Sequence, residues 1–354
     1  MNLSSTTALP VLVIYTGGTI GMRSGPNGLT PGGDFAARMH RALETLPAEK
    51  RQTLPRVEVI SYSPLIDSSS TTPLDWQTLA DDIRTRHADY AGVVVVHGTD
   101  TLSWTAASLA FQLSDITRPV VVTGAMHPLE APDSDARDNL YGALRFAMAP
   151  ALDGVAVYFA GHLLRGVRAT KQHASANAAF ISPNAPPLGE CLNEPLVYAD
   201  ERPTQVNDAA LAADSPRADY RRVAQGEVVR IAFWPGMAAW QLDAWLGDNR
   251  VKGALLQLWG AGNMADDPAL IEVLKRANDQ GKLIAAVSQC PRGSVDMGAY
   301  AAGGDLAKAG VLSGADMTPE AAYTKLVHLL ALPLEHAARR RAFMATWVSE
   351  RSDG

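Results

Sequence analysis

Short apolar runs of strand length recur along this chain, and a longer stretch of helical character follows each one. Val11–Tyr15, Val57–Ser61, Gly92–Val96, Val120–Thr123 and Val155–Phe159 alternate with helix-like segments at Asp34–Leu46, Pro73–His87, Leu102–Leu113 and Ser134–Ala147. A strand followed by a helix and another strand closes most simply as a parallel sheet with helices on both faces. Pro73 suits the first turn of its helix, and Asp138 and Asn139 do not interrupt theirs. Around 182–224 the texture changes. Ser182-Pro183-Asn184-Ala185-Pro186-Pro187 breaks any regular element, and Asp200–Arg222 is polar without periodicity. The alternation then resumes, with strands at Val228–Phe233, Ala254–Leu258 and Leu283–Ser288 and helices at Met237–Leu246, Pro268–Asn278 and Thr318–Leu330. The expectation is two α/β domains: a larger N-terminal one over 1–190, a linker over 191–225, and a smaller parallel one over 226–354. Their mostly parallel sheets are flanked by helices.

The chain has 354 residues, 47 % apolar and 19 % charged, which fits a folded enzyme with a substantial core. Its formal net charge of -6, without any basic block, argues against a nucleic-acid surface. Cys191 and Cys290 are the only cysteines, too few for a disulfide framework. The first ten residues carry no basic n-region, and no apolar run is long enough to span a membrane. The expected location is cytoplasmic.

Open α/β sheets keep their sites at the carboxyl ends of the strands, and two strand ends here carry hydroxyls. Val11–Tyr15 runs into Thr16-Gly17-Gly18-Thr19, and Val93–Val96 runs into His97-Gly98-Thr99-Asp100-Thr101. Gly17, Gly18 and Gly21 lack the spacing of a dinucleotide turn. Asp100 can hold a substrate ammonium while Thr99 relays a proton, but either residue can equally cap the helix starting near Leu102. Asp67-Ser68-Ser69-Ser70 follows a neighbouring strand with a carboxylate and several hydroxyls. Lys171, in Arg168-Ala169-Thr170-Lys171-Gln172-His173, can assist the hydroxyls, and to act as a base it has to be desolvated. His97, His127, His162 and His173 are scattered without metal-ligand spacing, and there is no Gly-x-Ser-x-Gly elbow. Together these groups point to hydrolysis through an activated alcohol.

The order and spacing of Thr16-Gly17-Gly18-Thr19-Ile20-Gly21-Met22, Asp67-Ser68-Ser69, His97-Gly98-Thr99-Asp100-Thr101 and Thr170-Lys171 closely resemble the L-asparaginase family, nearest its type I cytoplasmic bacterial branch. The likeness continues through Gly260-Ala261-Gly262-Asn263, Ser288-Gln289-Cys290 and Gly314-Ala315-Asp316-Met317-Thr318. The resemblance implies hydrolysis of L-asparagine to L-aspartate and ammonia without a cofactor or metal. It makes Thr19 the nucleophile and Thr99, Asp100 and Lys171 the group that manages protons and water. Asp67, Ser68, Ser69, Thr99 and Asp100 would hold the substrate, joined by Asn263 from a neighbouring chain of a homodimer or homotetramer. A broader asparaginase-glutaminase, or an amino-acid sensor on the same scaffold, is the alternative.

Two positions depart from the family pattern. Leu29 stands where the family usually has a tyrosine in the loop after the nucleophile, which leaves the base for Thr19 to Lys171 through Thr99, to water, or to a tyrosine such as Tyr62 or one from a partner chain. Gln257 stands where some type I members use an arginine at an allosteric site. Glutamine has no fixed charge to pair with a carboxylate, so weak or absent activation by asparagine is expected.

Overall fold

The computed structural model describes residues 9–25, 28–191, 195–198, 221–297 and 301–352. They form two compact units. One holds most of the described chain before residue 199; the other holds the described residues from 221 onward, together with 72–77 and 183–185.

The first unit is built on an eight-stranded sheet. Its parallel part comprises β1 (Val11–Tyr15), β4 (Val57–Ser61), β5 (Gly92–Val96), β6 (Val120–Thr123) and β7 (Val155–Phe159). Every residue of β1 and of β5 to β7 is buried, as expected for strands covered on both faces. Beyond β7 the sheet turns antiparallel through β8 (His162–Arg165), β11 (Gly189–Cys191) and β12 (Pro195–Val197). β12 lies within the stretch expected to connect the domains, so the chain is still completing the first sheet there; residues 192–194 and 199–220 of that stretch lie outside the described residues. Two small antiparallel pairs complete the unit: the hairpin β2 (Met22–Gly25) with β3 (Gly28–Pro31), and β9 (Thr170–Lys171) with β10 (Phe180–Ile181).

The strand order β12-β11-β8-β7-β6-β5-β1-β4 matters for the site. β1 lies between β4 and β5, so the chain first adds a strand on one side of β1 and then crosses to the other. Such a reversal opens a crevice at the carboxyl ends of the strands. In register, Tyr15 sits opposite both Ser61 and Val96, so the three chains leave the sheet at one level.

The second unit carries four parallel strands in the order β13 (Val228–Ala232), β14 (Gly253–Leu258), β15 (Leu283–Ser288) and β16 (Leu312–Ser313). Its helices start where local chemistry says they should. Asp267 caps Pro268–Asp279 and Thr318 caps Pro319–Ala331, each with proline in the first turn. Each unit has its own apolar core, one around Val13, Val94 and Leu140, the other around Leu256, Leu274 and Ala286.

Candidate active site

Backbone bonds stitch together the loops after β1, β4 and β5. Thr16 N donates to Val96 O at 2.9 Å, Tyr62 N to Tyr15 O at 2.9 Å, and Ile66 N to Thr16 O at 2.7 Å. Two glycines allow closer approach. Gly17 and Gly18 have φ of 142° and 97°, in the region that favours glycine. A Cβ on Gly17 would lie 2.3 Å from Ile66 O, and one on Gly18 would lie 2.5 Å from Gly98 Cα. A Cβ on Gly98 would in turn meet Ser68 Oγ at 2.4 Å. The turn carrying Thr19 (Thr19–Gly21, 3-10) is therefore packed backbone to backbone on Ile66 and on Gly98, and the Ser68 side chain closes on Gly98 from the Asp67–Ser68 turn.

Within this cluster Lys171, projecting from β9, donates from Nζ to Thr99 Oγ1 at 2.9 Å and to Asp100 Oδ1 at 2.8 Å. Thr99 is buried and Asp100 exposed. A hydroxyl has one proton and two lone pairs. With the ammonium on one lone pair, the Thr99 proton remains available to donate. Asp67 accepts from Ser69 N at 3.0 Å and caps the short turn Ser68–Ser70, in which Ser68 is buried. The helix-cap reading of Thr99 and Asp100 does not hold. Thr101 occupies the cap position of Leu102–Gln112 without a side-chain cap bond, and its hydroxyl donates to Ser68 O at 2.7 Å.

Sequence reasoning missed the supports beneath this loop. His97 is buried, with Nδ1 2.8 Å from Gly98 O and Nε2 3.1 Å from Thr105 Oγ1. It read as one scattered histidine among several, although its place next to the Gly-Thr-Asp run was the available signal. Arg38 was missed as well; a charged residue in the row Phe35, Met39, Leu43 on the buried face of Phe35–Glu44 marks it.

Leu29 is exposed on β3 opposite Ser24. The Tyr62 hydroxyl, considered as a stand-in, instead donates to Asp82 Oδ2 at 2.6 Å. Tyr15 stacks on Phe35, and burial raises its pKa, partly offset by Arg38. In the second unit, Asn263 is half-buried and its backbone is fixed by a bridge to Trp259. Gln257 is buried in β14 and accepts from Arg230 Nε at 2.7 Å.

A sheet reversal lined by hydroxyls, an ammonium and carboxylates is the site of an α/β protein equipped for acid–base chemistry on a small polar ligand. Two family models match the chain: "Asparaginase, N-terminal" over residues 10–204 and "Glutaminase/Asparaginase C-terminal domain" over 227–343. The chain belongs to the asparaginase family. It is 37 % identical over 338 residues to L-asparaginase 1 of Escherichia coli K12, covering 94 % of this chain and 95 % of that protein. The crystal structure of L-asparaginase I from Vibrio cholerae superposes with a TM-score of 0.82 at 34 % identity, covering 98 % and 99 % of the two chains. The 60 kDa lysophospholipase of Mus musculus is 36 % identical over 341 residues, which span 91 % of this chain but 59 % of that longer protein.

Proposed function

We propose that this enzyme hydrolyses L-asparagine to L-aspartate and ammonia, with Thr19 as nucleophile. The observation that carries this reading is Lys171 bonded at once to Thr99 and Asp100, beside the glycine contact that joins the Thr19 turn to the Thr99 loop. Asp100, Asp67, Ser68 and Ser69 hold the substrate's α-ammonium and α-carboxylate. Thr19 Oγ attacks the side-chain amide carbon, its proton passing to a neighbouring acceptor, because a threonine alcohol is a weak nucleophile until deprotonated. Backbone N–H groups at Gly98 and Thr99 stabilise the negative charge on the carbonyl oxygen. Collapse of the tetrahedral species expels ammonia and leaves an ester on Thr19. Water, oriented by Thr99 with Lys171 and Asp100 behind it, then attacks that ester and releases aspartate.

In this reading Asn263 reaches the site from a neighbouring chain, and the enzyme works as a homodimer or homotetramer. The two cysteines, both free, suit a reducing cytoplasm.

Ammonia release from L-asparagine and L-glutamine, measured side by side for the wild type, Thr19→Ala and Lys171→Met, tests the proposal. The expected outcome is hyperbolic release from asparagine that falls by roughly 10³-fold or more in Thr19→Ala and about 10²–10⁴-fold in Lys171→Met. Equal release from both amides makes the enzyme an asparaginase-glutaminase. Binding of asparagine without hydrolysis overturns the enzyme reading in favour of a sensor.

A further inference from the structure

Beneath the Thr19 turn lies a buried arginine that the hydrolytic reading leaves unused. Arg38 sits on the inner face of the helix Phe35–Glu44, with its side chain 1 % exposed. All three of its nitrogens are engaged. Nη1 donates to Gly21 O at 2.6 Å and Nη2 to Met22 O at 3.1 Å, while Nε and Nη2 meet the two oxygens of Glu130 at 2.5 Å each. Gly21 ends the turn that begins at Thr19, and Met22 begins the hairpin β2–β3.

The returning end of that hairpin is tied to the same point. Gly32, which follows Pro31, donates its N–H to Gly21 O at 3.0 Å, and a Cβ on Gly32 would stand 2.1 Å from Arg38 Nη1. The loop bearing Glu130 adds another bond, from Leu129 N to Ile20 O at 3.1 Å. Both feet of the hairpin and the Thr19 turn thus converge on one guanidinium, whose planar fork suits paired acceptors. An apolar residue would fill this helix position without the desolvation a buried charge demands.

We propose that Arg38 and Glu130 are positioning residues for hydrolysis, clamping the hairpin feet to the turn and thereby fixing the Thr19 hydroxyl. The proposal rests on Thr19 being the nucleophile. Displacing a reacting atom by about 1 Å can lower a rate 10²-fold, and the substrate-holding groups Asp67, Ser68 and Asp100 stand on other loops. Loss of the clamp therefore acts on kcat and spares KM.

The test uses the full-length enzyme with Arg38→Met, Arg38→Lys and Glu130→Gln, the last a mild change because the Glu130 side chain is 46 % exposed. Each variant is assayed for kcat and KM on asparagine, with melting curves and with trypsin cleavage after the exposed Arg23 of β2. Expected is a kcat loss of about tenfold or more in Arg38→Met with unchanged KM, smaller losses in Arg38→Lys and Glu130→Gln, and cleavage at Arg23 faster in Arg38→Met than in Arg38→Lys, both of which keep the 3.7 Å pair between Arg23 and Glu130. Wild-type kcat in Arg38→Met, or a loss that only follows the folded fraction, overturns the positioning role and leaves Thr19 untouched. No ammonia release by the wild type overturns the nucleophile reading and the positioning role together. Uniform cleavage at Arg23 across the variants shows that nothing was clamped and also sinks the proposal.

Discussion

A methyl group on Gly18 has no room to form. Its φ of 97° lies where a side chain is strained, and the new carbon would overlap the backbone of Gly98. Relief requires the Thr19 turn and the Thr99 loop to part. Gly18→Ala is therefore expected to lose about 10²-fold in kcat/KM and about 1–3 kcal/mol of stability, measured by ammonia release and by denaturant unfolding. An unchanged kcat/KM would mean that the two loops need not touch for turnover. Single residues were unevenly legible. Thr99, Asp100 and Lys171, which the structure brings together, were each weak signals alone and stood out, with Thr19, only through the order and spacing of the motifs that carry them. Asn139 did not. In sequence it is only a polar residue that its helix tolerates, yet it is buried and bridges two loops, donating to Gly124 O at 3.0 Å and accepting from Ala160 N at 2.9 Å. Its spacing from the buried Ala136 and Ala143 puts it on the inner face of the helix, but a single sequence does not say which backbone groups it satisfies there.

Elements were legible in proportion to their length and burial. The runs at β1, β4, β5, β6 and β7 match their strands end to end; β1 and β5 to β7 are fully buried and so nearly continuously apolar, whereas β4, at the sheet edge and half-buried, alternates Val57, Glu58 and Val59. The hairpin β2–β3 and the short antiparallel strands β8, β11 and β12 were missed. Three or four residues carry no readable period, and β8 and β11, which pair across the sheet, lie about 25 residues apart in sequence. The hairpin depends instead on Arg38 and Glu130, and that pair has a pH signature of its own. The Arg38 hydrogen bonds hold the Glu130 carboxyl below the usual carboxylate range, against a smaller opposing effect of burial. A depressed folded-state pKa means that the unfolded chain binds the proton more readily. The stabilisation is thus complete above the unfolded value of about 4.3 and is lost as pH falls through the lowered one. Denaturation of the wild type and Glu130→Gln across pH 2 to 7 is expected to give a gap that is constant above about pH 5 and closes in acid. Solvent at this half-exposed carboxylate keeps the gap small. A gap that persists at the acid end would mean that the charge of Glu130 contributes nothing.

At the scale of the whole molecule, a chain that fills one unit with hydroxyls and a lysine and leaves Asn263 in the other poses a question of assembly. A closed symmetric dimer makes any contact between its copies twice, so an Asn263 supplied in trans would complete two equivalent sites. Subunit mixing tests this directly. Thr19→Ala and Asn263→Ala are each expected to be impaired, the first through kcat and the second through KM, and at asparagine far below the KM of Asn263→Ala neither turns over measurably alone. In a mixed dimer with trans sites, one site combines both substitutions and the other carries neither. Random re-pairing of equal amounts makes half of the dimers mixed, each with one intact site, so about a quarter of the wild-type activity returns. If Asn263 serves the site of its own chain, mixing restores nothing, because every site keeps one lesion. Recovery that appears on mixing and disappears at dilutions where the dimer separates would tie the activity to the assembled form. Activity that is absent from both variants and from their mixture would place Asn263 in cis, and each site would then belong to one chain alone.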